Sequence, residues 1–306
     1  MNESVPILED ETGFDRLLAF TLPDRNARGR AVRLGPVVDE ILAAHDYPPT
    51  IKALLAEALV ITALIGGLLK GEGSQVTVQA QAKGAVLSLL VCDFRDGEMR
   101  GYAEFDSESL RELGTNPSLE TLFGTDAGKG FLAITFDGVP KGQRFQGIVP
   151  LEGSSLAMAC ETYFSQSEQV PSLIRLGVSF QRDTCIAGGL LAQHLAEGEE
   201  GRERLHTRMD HPEWEHVEVL AGSLRHDELV DPSLSLEAMI WRLFHEEREI
   251  MASKGLPLSR GCRCSIDHYQ QVLKRFTQAD REEMRDENGK IVVDCAFCSR
   301  LFEIDA

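Results

Sequence analysis

The chain has 306 residues, of which 43% are apolar and 26% charged, so it can hold two domains and at least one sizeable core. Its net charge of −18 argues against a general nucleic-acid binder, whose affinity rests on Lys and Arg contacts to phosphate. The same charge favours solubility, which suits a protein that must at times expose apolar surface.

The N-terminal stretch MNESVPILEDETG is acidic and lacks the basic start and apolar run of a secretory signal, so the expected location is cytoplasmic. Residues 1–184 read as an α+β domain of antiparallel sheets with packed helices. LGPVVDEILAAHD carries apolar residues at helical spacing. ALLAEALVITALIGGLL, 53–69, is the most apolar segment; Glu57, Thr62 and the Gly66–Gly67 pair mark it as a buried core helix rather than a membrane span. Strand patterns follow. QVTVQAQ alternates Val76, Val78 and Ala80, AVLSLLVCDF is almost wholly apolar, and FLAITFD and RFQGIVP come after Gly-rich turns. GTDAGKG, 124–130, is one residue short of a phosphate loop and lacks Ser or Thr after the lysine, so it reads as a turn. GSSLAMACETYFSQSEQ opens with serines suited to a helix cap, and LIRLGVSFQ alternates as a strand through Ile174, Leu176, Val178 and Phe180.

Residues 185–250 differ in character and read as a weakly folded helical linker. Apolar residues recur thinly through Leu205, Met209, Trp214, Val217, Leu220, Leu224 and Leu229, which gives narrow helical faces that depend on docking to a neighbour. Residues 251–306 form a small cysteine-bearing unit. Ser265 caps a helix whose face carries Ile266, Tyr269, Val272, Leu273 and Phe276, and Thr277-x-x-Asp280 starts a second. Asn288–Gly289 signals a tight turn before the strand KIVVD.

Four of the seven cysteines fall in this unit, as Cys262 and Cys264 in GCRCS and Cys295 and Cys298 in CAFC. Two close thiol pairs separated by an insertion supply the four tetrahedral ligands that zinc favours, with an iron–sulfur cluster the minor alternative. His268 lies near the first pair, but four thiols already complete the shell. The unit has too little apolar content to be secure alone, and one zinc ion would supply what is missing. Chemistry at this level leaves the metal as either scaffold or sensor. Cys92, Cys160 and Cys185 each stand alone in apolar or mixed surroundings and read as inert buried thiols.

The ordered series GRAVRLG (29–35), LLAEALVITALI (54–65), MRGYAEF (99–105), GKGFLAIT (128–135), QGIVPLEGSSLA (146–157), YFSQSEQVP (163–171) and WRLFHEE (241–247), closed by CxC and CxxC, resembles the heat-shock protein 33 family over nearly the whole chain. The resemblance implies a redox-regulated, ATP-independent holdase chaperone and no enzyme. In the reduced form Cys262, Cys264, Cys295 and Cys298 bind zinc. Oxidation pairs them as Cys262–Cys264 and Cys295–Cys298, releases the zinc, unfolds the C-terminal unit and loosens the linker. The implied partners are unfolding client proteins and, in the active form, a second copy of the chain, with neither nucleic acid nor membrane. The chain departs from the family in SIDHY after the CxC and in Ala296 within the CxxC, while Arg260, Arg263 and Arg300 place positive charge nearby.

Rival readings are a constitutive protein-binding module with a purely structural zinc and a dithiol oxidoreductase built on CAFC. A zinc-ribbon nucleic-acid module is a third, for which Arg28, Arg30 and Arg33 would form the basic patch.

Overall fold

In the computed structural model, which describes residues 13–124, 130–138, 142–151, 153–182, 184–195 and 211–305, the chain opens as an antiparallel pair of strands. These are β1 (Arg16–Leu22) and β2 (Ala27–Leu34), neither of which stood out as a strand in the sequence. Then come α1 (Pro36–Leu42) and the long α2 (Pro49–Gly66), each started by a proline in its first turn. β3 (Gln75–Ala82), β4 (Leu87–Arg95) and β5 (Glu98–Phe105) form a meander, followed by the short helices α3 (Ser107–Glu112) and α4 (Leu119–Phe123). β6 (Gly130–Asp137) and β7 (Arg144–Pro150) lead to α5 (Leu156–Tyr163), which Ser155 caps by accepting from the Met158 amide. β8 (Ser172–Gln181) and β9 (Thr184–His194) complete the body.

The strands make two sheets with α2 between them. One runs β1-β2-β9-β8; the other runs β5-β4-β3-β6-β7, antiparallel throughout. Alternation decides which side chains meet α2. Leu17, Val32, Leu34, Ala187 and Leu191 from the first sheet and Val76, Val78, Leu90, Phe94 and Ile134 from the second join Leu55, Leu59, Val60 and Leu64 in one core. α2 is long and apolar enough to span a membrane, yet it is buried between the sheets, as its Glu57, Thr62 and glycine pair suggested. The Thr62 hydroxyl, in that core, donates to the Ala58 carbonyl at 2.7 Å.

β9 differs from the sequence expectation, which placed residues 185–194 in the linker. They form a central strand, flanked by β2 and β8. A Cβ at Gly188 would lie 2.2 Å from the Leu229 carbonyl oxygen, and one at Gly189 2.4 Å from Val60. Glycine is there for close packing on both faces of the strand. β8, expected from its alternation, buries Ile174, whereas Phe180 at its end is exposed.

The far face of the first sheet carries α6 (Pro212–Gly222), α7 (His226–Val230) and α8 (Leu236–Phe244). These helices match the helical linker expected from the sequence. Their narrow faces nevertheless enclose a second core, in which Trp214, Val217, Met239, Ile240 and Phe244 cover Leu18, Phe20, Ala31, Leu190 and Ala192. Arg33 pins the middle of this layer. Its guanidinium, 1% exposed, donates to the carbonyls of Leu229 (3.0 Å), Leu234 (2.6 Å) and Glu228 (3.2 Å). The acidic stretch 196–210 and most of the GTDAGKG turn lie outside the described residues.

From α8 the chain crosses back as a strap. β10 (Met251–Ala252) and β11 (Leu256–Pro257) pair with β1, and β12 (Ser259–Arg260) pairs in parallel with β5. The C-terminal unit follows: α9 (Ile266–Leu273) capped by Ser265, α10 (Gln278–Glu283) with the Thr277–Asp280 capping box, and the hairpin of β13 (Lys290–Asp294) and β14 (Leu301–Asp305).

Candidate metal centre

The strap delivers the first thiol pair. Gly261 donates from its amide to the Met99 carbonyl at 2.9 Å, continuing the pairing with β5, and a Cβ there would lie 2.5 Å from that of Glu98. GCRCS therefore needs its glycine so that the CxC can leave the sheet edge at close quarters. The second pair sits on the turn of the hairpin. The Cys295 carbonyl accepts from the amides of Cys298 (3.1 Å) and Ser299 (2.8 Å), and Ser299 takes φ +54°.

The two turns bring all four expected cysteines together, with every sulfur within 4.8 Å of the others. Cys262 Sγ lies 3.3 Å from Cys264 Sγ and 3.5 Å from Cys295 Sγ, and Cys264 Sγ lies 3.5 Å from Cys298 Sγ. Four thiolates about 2.3 Å from a central zinc ion stand about 3.8 Å apart along each tetrahedral edge, so the set fits a tetrahedral ion. Its four soft donors suit zinc or iron rather than an oxygen-seeking cation. His268 is outside the cluster, with its ring against Tyr269.

The environment distinguishes the thiols. Burial works against ionising Cys295, but the Tyr269 hydroxyl and the amides of Phe297 and Cys298 donate to its sulfur and hold its pKa down to about 6. Burial and the neighbouring thiols push Cys264 up, and burial raises Cys298. Amides aimed at a turn sulfur are a ready-made anion cradle, so Cys295 is prepared as a thiolate ligand.

The apolar support is small. Leu273, Ile291, Phe302 and Ile304 pack with Cys295, and Tyr269 stacks on Phe302 at 5.1 Å. The helical face expected from the sequence is narrower than its pattern, because Ile266 and Phe276 are exposed.

The unit leans on the body through the CxxC itself. His45 Nε2 meets the Ala296 carbonyl at 2.7 Å, and the Ser299 hydroxyl donates to the Ala44 carbonyl at 2.6 Å. The Phe297 ring lies 4.0 Å beneath the Arg100 guanidinium and edge-on to Tyr102, with centroids 6.4 Å apart. Arg100 is held in turn by Asp93, at 2.6 Å. On the CxC side Arg263 donates to the Gln75 side chain. Arg100 and Tyr102 fall in the MRGYAEF stretch, but nothing in the sequence marked any of these body residues as a docking surface; the one available signal was an aromatic residue inside the CxxC.

Arg28, Arg30 and Arg33 form no basic patch. Arg28 donates to Gln193, Arg30 to the Gly67 carbonyl, and Arg33 is turned to the opposite face of β2. The three remaining cysteines are buried, and burial raises each of their pKa values.

Fold and site together define an α+β protein whose small C-terminal four-cysteine centre is docked on a two-sheet body. Comparison with known families is specific: the family described as Hsp33 protein matches residues 15–305. A 33 kDa chaperonin of Caulobacter vibrioides is 38% identical over 298 residues, which cover 95% of each chain. One of Pseudomonas aeruginosa is 36% identical over 95% of this chain and 92% of its own. The crystal structure of a 33 kDa chaperonin from Thermotoga maritima shares the fold, with a TM-score of 0.73 at 23% identity over 95% of this chain and 94% of that one. The chain belongs to the Hsp33 family, and is thus a chaperone rather than an enzyme.

Proposed function

We propose that the protein is a redox-gated holdase that binds unfolding client proteins without ATP. The observation that carries this reading is the four-sulfur cluster, set at tetrahedral spacing in a unit too small to fold without it and joined to the linker helices by a pairing strap. A bound zinc ion would supply the folding free energy of that unit and keep the thiolates as ligands.

In the gating step each thiol pair gives up two electrons to an oxidant such as hydrogen peroxide, which is reduced to water. One S–S bond forms in each turn, Cys262–Cys264 and Cys295–Cys298, and the thiolates are withdrawn from the metal. Rearranging the CxxC turn moves Ala296, Phe297 and Ser299, the residues that hold the unit to His45, Ala44 and Arg100. Undocking frees the strap, and with it the support of α6–α8 on the first sheet. The apolar surface of the second core then becomes available to clients, and to a second copy of the chain in the active dimer. A reducing cytoplasm would keep the gate closed.

The test is to oxidise purified zinc-loaded protein with peroxide under mild heat and map its disulfides by mass spectrometry. The expected products are Cys262–Cys264 and Cys295–Cys298, with Cys92, Cys160 and Cys185 still thiols, together with suppression of client aggregation. Full client binding by the reduced form would instead favour the constitutive module with a structural zinc, and turnover of a disulfide substrate the oxidoreductase.

A further inference from the structure

Two sequence features remain without a role in this scheme, the Gly66–Gly67 pair and Arg30, and they meet at one cavity of about 610 Å³. Its walls are the end of α2, Leu17 and Ala19 of β1, Phe94 at the end of β4, and the strap at Ser253–Leu256. The glycines let the cavity's walls close in on the end of α2. A Cβ at Gly67 would lie 2.6 Å from Leu17 and 3.1 Å from the Arg30 stem, and one at Gly66 2.3 Å from Phe94.

Arg30 is a cation in an unusual position. It is partly buried and donates from Nε to the Gly67 carbonyl and from Nη1 to the Gly29 carbonyl, both at 2.7 Å. Its pKa is lowered to about 10, by burial first and by Arg28 second, and among the described residues no carboxylate offsets either effect. The acids at the cavity do not serve as its counter-ion. Both Asp96 oxygens accept from the Gly73 amide, and Glu72 is exposed. The lining joins an apolar stretch of Leu17, Leu69, Phe94 and Leu256 to the polar Ser74 and Ser253 and a second cation, Lys254.

A desolvated cation without a counter-ion costs free energy that a bound anion would recover, because a guanidinium binds a carboxylate through paired, charge-assisted hydrogen bonds. The apolar walls select the remainder of the ligand, and the size suits a small molecule. Glu72 and Asp96 offset Arg30 and Lys254 on its lining, so no net positive charge favours anions of higher charge, such as phosphate esters. We propose that this cavity is a binding site for a small monocarboxylate with an apolar chain, its carboxylate on Arg30 and its chain along Leu17, Leu69, Phe94 and Leu256. The site is separate from the four cysteines and does not depend on the redox reading.

The test uses the reduced, metal-loaded full chain and octanoate as probe, with octan-1-ol and octylammonium as controls, followed by calorimetric titration. Octanoate should bind saturably at one site, with both controls weaker by about tenfold or more, the loss of one charge-assisted contact. Arg30→Met should lose octanoate by a similar factor, and Arg30→Lys should keep part of it. Ala19→Phe, which fills the cavity from β1 and leaves Arg30 in place, should abolish binding and carries the test if Arg30→Met does not fold. The proposal is overturned if octanoate does not bind, if octan-1-ol binds equally well, or if Ala19→Phe or a folded Arg30→Met binds octanoate with wild-type affinity.

Discussion

Arg33→Met probes the hold of the linker helices directly. The substitution keeps the side-chain stem and removes the fork that reaches the Glu228, Leu229 and Leu234 carbonyls from β2. Each such bond from a charged donor is worth about 1.5–3 kcal/mol, but burying the guanidinium takes back part of the sum. A net loss of about 2–4 kcal/mol follows, within a total stability of about 5–15 kcal/mol. α7 is only five residues long and has no stability of its own, so the loss should appear as local opening of α7 and α8. Hydrogen exchange on the zinc-loaded, reduced variant should show amides of 226–244 exchanging about 30- to 700-fold faster, the range set by that free energy. β1 to β5 should keep their protection, zinc content should be unchanged, and holdase activity should be present without oxidant. Unchanged exchange in α7 and α8, or an equal loss across the sheets, would refute the role given to Arg33.

Three further perturbations separate the parts of the proposed switch. Phe297→Ala removes the stack under Arg100 and the edge contact with Tyr102, together about 1–3 kcal/mol, and leaves all four ligands; β12 should lose exchange protection while the metal stays bound. Tyr269→Phe removes a donor to the Cys295 sulfur, so the thiol pKa rises and protons compete better with metal; chelator-driven zinc release should quicken by about 10- to 100-fold, most steeply below neutral pH. His194 ends β9 under α6, with its ring 5.0 Å from that of His211, and burial lowers its pKa below the ordinary value of 6.5. The unfolded form then binds more protons, so the stability of the α6 contact is present above pH 6.5 and is lost as pH falls through the folded-state value. Thermal unfolding followed through Trp214 should show this loss, and His194→Phe should flatten it.

Much of the site was legible because thiol spacing is a strong local signal. Cys262, Cys264, Cys295 and Cys298 converge through two turns whose chemistry is written next to them, in Gly261 and Ser299. α2, β3, α9 and the α10 capping box were legible for the same reason, since periodicity and caps act within a few residues. What could not be seen depends on distant partners. β9 reads as linker because its glycines answer to Leu229 and Val60, and Arg33 looks like surface charge because its acceptors lie about two hundred positions further along. The linker faces looked narrow and dependent on a neighbour, but the sequence did not say which; the first sheet supplies that wall and covers Trp214 and Phe244. The docking of Phe297 under Arg100, on which the proposed gate depends, was equally invisible.

The most direct measurement is one oxidant titration of the reduced, zinc-loaded protein in which released zinc, remaining thiols and suppression of client aggregation are read from the same samples. If the four cysteines are the gate, all three curves share one midpoint, with four thiols and one zinc ion lost per chain as holdase activity rises. Full holdase activity before any zinc is released, or complete zinc release with no gain in activity, would contradict it.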